Sequence, residues 1–411
     1  MTKGYRVTDF GIGLKDFFTV FVLLFNTFSW LFMTRRILST ILSDQGDQLI
    51  LVTWGVYDLT LIGSGIVGAV LSSRVRRLQF IYFWMLLGTL ASILPSFIPN
   101  PKTYVLGISF LWSVALGLGI PSSFAYFAES TDFENRGRIS GLIFLAANLS
   151  APFIVLFLTT DATFNFILST VWRGLGLLIL LALKPQAKMP LDESKTVSFI
   201  SVLKNKTFLL YLLPWLMFSM IDGFEKLFFQ NFLSPDLFNL LRMIGALIGT
   251  IFAFIGGLLS DLVGRKRIVI YGFVSLGLAY AAVGVASANY ISWYFYSVID
   301  GIAWGIFTVT FVLTLWGDLS PPKGREKYYA IGSIPFFLAE FAGLVLVPFM
   351  WIPLNAAFSV ASLFLFLAVL PLMYAPETLP EKKMEIRRLK GYIEQAKKFT
   401  EKYTKKNGNK S

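Results

Sequence analysis

Eight ionisable side chains fall inside otherwise apolar stretches of the sequence: Asp58, Arg173, Asp222, Glu225, Lys226, Arg242, Asp300 and Glu340. A charge carried to the centre of a bilayer costs at least about 2.5–3.5 kcal/mol, so such residues are paired, lined by water or functional. Asp222 stands four positions before Lys226 and three before Glu225, spacings that place all three on one helical face with Trp215 and Phe218. Two readings of that face stand. It is either a locally neutralised ion pair that eases insertion, or a cavity wall that binds the polar groups of a substrate. Glu225 has no local counter-ion, and Arg242 on the next apolar segment is its candidate partner. Asp300 has no basic residue within helical reach, and its face carries Tyr296, Ser297, Trp304 and Thr308. One carboxyl among hydroxyls and aromatic rings suits a water-accessible binding wall. Its chemistry would be reversible protonation or contact with a substrate cation; a structural pair with Arg173 or Arg242 is the competing reading. Asn26, Trp30 and Asn148 are neutral candidates for lining contacts, while Trp30 and Trp215 equally suit packing.

Other chemistries are closed off. The chain has no cysteine and no histidine, which removes disulfides, thiol catalysis and the usual metal ligands, and leaves proton handling to carboxylates. No metal or cofactor is expected. No G-x-x-x-x-G-K-[ST] loop occurs, so a built-in ATPase is not expected, and intramembrane enzymes that rely on histidine or an acidic metal cluster find no counterpart.

The elements that must position these side chains are long. Of 411 residues, 55% are hydrophobic and only 15% are charged, against about 25% charged in soluble domains. The apolar residues come in runs long enough to cross a membrane as helices. The pattern predicts twelve spans, at residues 17–38, 48–71, 79–98, 103–128, 139–160 and 163–183, then 207–231, 235–259, 268–287, 290–316, 328–350 and 353–375. One set of alternate loops carries Arg74, Arg76, Arg77, Arg136, Arg138, Lys184, Lys188, Lys195, Lys204, Lys206, Arg265, Lys266, Arg267, Lys323, Arg325 and Lys327; the other carries only Arg35, Arg36 and Lys102. That bias places both termini in the cytoplasm and explains the net charge of +12 without nucleic acid. Arg35 and Arg36 violate it locally and are assigned to an outer extension of the first span.

A constant offset of 189 positions relates Gly68 to Gly257, Glu129 to Asp318, and Arg136 to Arg325. An offset shared by span starts and loop charges marks a duplicated unit. The expected organisation is a six-helix bundle over residues 1–184, a cytoplasmic linker over 185–206, a second bundle over 207–378 and a basic tail over 379–411. In the tail, Leu389, Ile393, Ala396, Phe399 and Tyr403 recur at helical spacing. Two readings stand for it, an amphipathic helix on the anionic membrane leaflet or a solvated basic segment.

After the eighth span the sequence runs Gly257-Leu-Leu-Ser-Asp261-Leu-Val-Gly264-Arg265-Lys266-Arg267. Gly257 lets helices approach closely, Asp261 can pair with a base at the membrane edge, Gly264 permits a tight reversal, and Arg265 and Lys266 can reach phosphates or helix ends. This segment resembles the signature loop of the major facilitator superfamily, G-x-x-x-D-x-x-G-R-[KR], between helices eight and nine. The first half carries an altered copy, with Ser72 at the aspartate position and Val75 at the second glycine. Glu129 to Arg138 and Asp318 to Arg325 resemble the corresponding loops between helices four and five and helices ten and eleven. Pro376-Glu377-Thr378-Leu379 is similar to the ending of sugar-porter and organic-ion branches.

The resemblance implies an all-α polytopic membrane protein with two pseudo-symmetric six-helix bundles around a central site. It further implies that Asp261 and Arg265 belong to an interdomain charge network. In such a fold Asp58 and Glu340 lie on helices of the interface between halves, suited to a hydrogen bond there or to ion coupling. Arg173 lies on a peripheral helix, as paired structure or as an anion contact. The implied activity is secondary transport of a small solute by alternating access. The expected form is proton-coupled uptake of a sugar, organic acid or similar metabolite by a monomer in the plasma membrane. Drug or metabolite efflux is the alternative, although the glycine-rich pattern of drug antiporters is missing between Gly141 and Thr160, where only Ala151-Pro152 survives. A transport-fold sensor or scaffold is the rival from a different class.

Overall fold

In a computed structural model, the structure describes residues 11–186, 197–346 and 352–380, with the side chains of all of these except 226–232, 340 and 342–346. Lys188, Lys195 and the tail from position 381 lie outside the described residues, as do the side chains of Lys226 and Glu340.

The described chain is all helix and turn. The first half comprises α1 (Leu14–Leu42), α2 (Asp47–Ser72), α3 (Arg77–Ile93, prolonged by a 3-10 turn to Phe97), α4 (Val105–Gly117), α5 (Ile120–Ser130), α6 (Arg136–Phe157) and α7 (Ala162–Leu183). A short α8 (Phe199–Leu203) leads into α9 (Lys206–Phe232), α10 (Pro235–Val263), α11 (Arg265–Ala286) and α12 (Tyr290–Phe307). The chain continues through a π-helical turn (Thr308–Thr314) into α13 (Leu315–Leu319), then α14 (Arg325–Gly332), α15 (Ile334–Leu346), α16 (Leu354–Leu367) and α17 (Val369–Tyr374).

Among the described residues, 11 helical segments are long and apolar enough to cross a membrane. Ten of them coincide with predicted spans to within a few residues at each end, and Lys206–Glu225 covers most of the predicted seventh. The remaining predicted span, 328–350, corresponds to α14 and α15, which break at Ser333. Pro335 supplies the reason, since it has no N–H to continue the ladder and its ring opposes the preceding turn. Span four divides similarly, α4 from α5, at Leu118 and Gly119 just before Pro121. Gly119 packs so closely on Trp84 that no side chain would fit there.

Within the first half, α1 packs on α6 and α7, α2 on α4, and α3 on α7; within the second, α10 and α11 pack on α12, α11 on α16 and α9 on α15. Among the described residues the halves meet chiefly where α6 packs on α10 and on the π-helical turn, α2 on α14 and α15, and α5 on α14. The α6–α10 crossing is built on small residues. A Cβ on Gly137 would stand 2.6 Å from the Gly257 carbonyl oxygen, and one on Gly141 2.6 Å from that of Ala253. Four-residue spacing of small residues on both helices lets the backbones touch, as membrane helices do when apolar burial offers no net driving force.

Candidate functional site

Polar side chains gather at one end of the molecule, the charged face formed by the α2–α3, α5–α6, α10–α11 and α13–α14 connections. Asp261, in the last turn of α10, reaches across to the first turn of α6. Its carboxylate accepts the Gly137 and Arg138 backbone N–H groups, each at 2.9 Å. Those are orphan donors at a helix N-terminus, where the dipole also favours an anion. Arg265 lies 2.9 Å and Arg138 3.5 Å from the same carboxylate. Arg265 is fully buried. It donates to the Asp318 carboxylate at 3.1 Å, to Ser260 O at 2.7 Å and, across the halves, to Phe133 O at 2.6 Å. Asp318 is gripped from the other half by Arg136, whose remaining N–H groups go to Thr131 and to the Ala128 carbonyl at 2.7 Å.

Glu377 does within the second half what Asp261 does between the halves. Its carboxylate accepts Arg265 N at 2.9 Å and Lys266 N at 3.2 Å, capping α11, and Thr378 donates to Asp318 at 3.1 Å. Gly264, at φ +114°, makes room for that carboxylate, because a side chain there would occupy its place. The ammonium group of Lys266 reaches Met373 O at 2.8 Å.

The altered first copy is wired differently. Ser72 turns its hydroxyl back onto its own helix, toward Ala69 O. The cross-half contact comes instead from Arg77, which donates to Glu326 on α14 at 2.5 and 2.8 Å and also pairs with Glu129. Arg325, the counterpart of Arg136, makes no ion pair of that kind among the described residues, and its Nε finds no acceptor there.

A second cluster lies inside the membrane part of the second half. Glu225 accepts hydrogen bonds from Tyr280 on α11 and Tyr296 on α12. The sequence suggests Arg242 as its partner; Arg242 instead lies over its own helix neighbour Phe238, 5.4 Å from the ring. The difference is one of reach, since the phenols close in from helices far apart in sequence. Trp304 donates to Asp222 at 2.9 Å. Asp300, half-buried, has its carboxylate 4.0 Å from where a Gly245 Cβ would stand, and Asp222, Glu225 and Asp300 all lie within electrostatic reach of Tyr296. Trp215 stacks on Phe311 at 4.9 Å and is fully buried.

The first-half candidates do not join that cluster. Asp58 forms an ion pair with Arg35 at 2.8 Å, and the Arg35 guanidinium also lies over Trp54 and Tyr57. Arg35 therefore lies within α1 with its guanidinium turned onto α2. Asn26 donates to Trp172 O at 2.8 Å and accepts from Arg173, while Trp30 donates to Ser92 at 2.9 Å. These contacts turn Asn26, Trp30 and Arg173 into the interior of the first bundle, away from Asp300. The reason is a buried guanidinium that needs acceptors and ring faces.

The sequence profile of the Major Facilitator Superfamily matches residues 154–406, more than half of the chain. The chain belongs to the major facilitator superfamily. No curated protein matches it in sequence. Among solved structures it is similar to the proton:xylose symporter XylE, at 18% identity over 91% of this chain and 97% of that one, with a TM-score of 0.64. It is similar to FucP in the outward conformation, at 12% identity over 88% and 99%, TM-score 0.67. It is also similar to the human organic anion transporter MFSD10 (TETRAN), at 15% identity over 87% and 99%, TM-score 0.64. These likenesses establish the fold.

As a major facilitator protein the chain is a multi-pass membrane secondary transporter with a small-molecule substrate, not an enzyme. Several residues of its charged face carry little signal in the sequence. Arg77 was visible only as one basic loop residue among many. Glu326, 249 positions away from it, carried no signal at all. Arg35, outside that face, had one: a basic residue on the wrong side of the charge bias.

Proposed function

We propose that the chain is a proton-coupled carrier of a polar metabolite of the sugar or organic-acid class, working by alternating access. The observation that carries the coupling part is that Tyr296 and Trp304, one turn to either side of Asp300 on α12, donate to Glu225 and Asp222 of α9. Histidine is missing from the chain, so carboxylates are the groups able to take and release a proton there. Trp304, on the same helix as Asp300, offers an aromatic surface of the kind that sugar and carboxylate sites use. Similarity in fold to a proton:xylose symporter and to an organic anion transporter supports the substrate class.

In this reading the bundles of residues 1–184 and 207–378 rock as units, joined by the linker over 185–206. The orientation set by the basic loops puts the charged face in the cytoplasm of a cell whose plasma membrane holds the protein as a monomer, with both termini inside and the basic tail on the anionic leaflet. The charged-face network then holds the cytoplasmic side closed.

Proteoliposome uptake tests it. An inward-directed proton gradient should drive accumulation of a sugar or organic acid at least tenfold above the rate without a gradient. Asp300→Asn should abolish the accumulation and leave counterflow exchange intact. Uptake indifferent to both the gradient and the substitution would refute coupling at this cluster.

A further inference from the structure

The first half contains a charge that the transport reading does not use. Arg173, on α7, is fully buried. Its guanidinium is held between two indoles, 4.5 Å from the Trp30 ring centre and 4.3 Å from that of Trp84. One edge is occupied, with Nη1 donating to Asn26 Oδ1 at 2.8 Å and to Thr27 Oγ1 at 3.3 Å. The other edge is not, for neither Nε nor Nη2 has an acceptor. Those two N–H groups are parallel in the guanidinium plane and form the fork that receives an anion. Among the described residues of α1, α3 and α7, which enclose it, none gives Arg173 a carboxylate partner.

The balance of effects points to a counter-ion. Each buried donor left without an acceptor is destabilising, and a buried ion without a counter-charge more so. Two ring faces offset part of that for a desolvated cation, but they stack on the plane and do nothing for the N–H edge. A water molecule would answer the N–H groups and leave the charge. A monovalent anion answers both. Gly88 on α3 keeps the edge uncovered, because a Cβ there would stand 2.9 Å from Nε and 3.0 Å from the Trp30 ring. Beside a backbone that approaches so closely, a small anion is accommodated more readily than a carboxylate or a phosphate.

We propose that the Nε and Nη2 edge of Arg173 binds a halide ion, chloride being the abundant one, as a structural counter-ion of the first bundle. The binding does not depend on which solute is carried or on proton coupling. Thermal unfolding of the purified full chain, in chloride, bromide or gluconate at equal ionic strength, is the first test. Chloride and bromide should raise the melting temperature saturably over gluconate. Arg173→Lys keeps the charge but loses the fork, and should weaken the halide dependence at least tenfold. Gly88→Ala, which sets a methyl group against Nε, should weaken it without touching the charge. Should either variant fail to fold, bromide-soaked crystals of the unaltered chain decide: an anomalous peak beside Nε and Nη2 supports the site. Identical melting in halide and gluconate, or a water in place of the peak, overturns it.

Discussion

The two copies of the signature loop meet the same task with different chemistry. In the second copy Asp261 supplies a carboxylate to the N-terminus of α6, and Arg265, Asp318 and Arg136 close a buried set of charges that crosses the halves. In the first copy the acid has become Ser72, which bonds only its own helix. There Arg77 has taken over, forked between Glu129 and Glu326 and still partly reached by solvent, at 16% exposure against 0% for Arg265. The two loops therefore share the position of the latch and not its residues. Burial decides the strength, because a charge pair removed from water costs far more to break than one at the surface.

The comparison predicts that the second latch dominates. Asp318→Asn leaves Arg136 and Arg265 buried against a neutral amide, which should destabilise the joined charged face by about 3–5 kcal/mol. The chain has no cysteine, so a single cysteine at Ser72, which is buried under this face, reports its opening. Alkylation of that cysteine should rise more than tenfold in Asp318→Asn. Unchanged labelling would mean that the network does not hold the halves together.

The next two substitutions sharpen the ranking. Asp261→Asn keeps one acceptor oxygen for the α6 cap and loses the charge opposite Arg265 and Arg138, for about 2–3 kcal/mol on the scale of charged hydrogen bonds. Arg77→Gln should have roughly half that effect on the same label, since its fork is partly solvated. If the two variants open the face equally, the asymmetry between the copies is only one of sequence.

What the sequence made visible follows from how local each signal is. The helices were legible because their apolar runs are continuous, and Asp261, Gly264 and Arg265 because the motif fixes them within one turn and one loop. Glu377 was visible as part of a Pro-Glu-Thr ending, but its task of capping α11 was not, since its partners are 111 and 112 positions away. The phenols of Tyr280 and Tyr296 on Glu225, and the Arg77 to Glu326 bond, belong to the same class of contact. Periodicity cannot report which helix a side chain will meet. Asn26 and Trp30 illustrate the converse, for polar groups in a span look alike whether they face a cavity or a buried arginine.

A smaller effect is expected from Glu377→Gln. The loss weakens a helix cap inside the second half, worth about 0.5–2 kcal/mol. Melting temperature should fall while labelling at position 72 changes less than in Asp261→Asn, because Glu377 does not itself cross the halves. Labelling as fast as in Asp261→Asn would place Glu377 within the latch, through Thr378 and Asp318.

The smallest effect belongs to the opposite end of the molecule, where Lys102 donates to Asp44 between the α3–α4 and α1–α2 connections. That bond, followed by one from Gln45, holds the Asp44 carboxyl below its usual range. A carboxyl lowered by folding adds stability above its ordinary value and loses it as pH falls through the lowered one. Here both partners are about half exposed, and water screens the pair. Lys102→Gln should therefore move the Asp44 titration upward while leaving the melting temperature at neutral pH, and the labelling at position 72, unchanged. A shift in labelling would show that this end of the first half is coupled to the charged face. The contrast to explain would then lie between the two faces of the molecule, with the two copies of the loop contributing only one side of it.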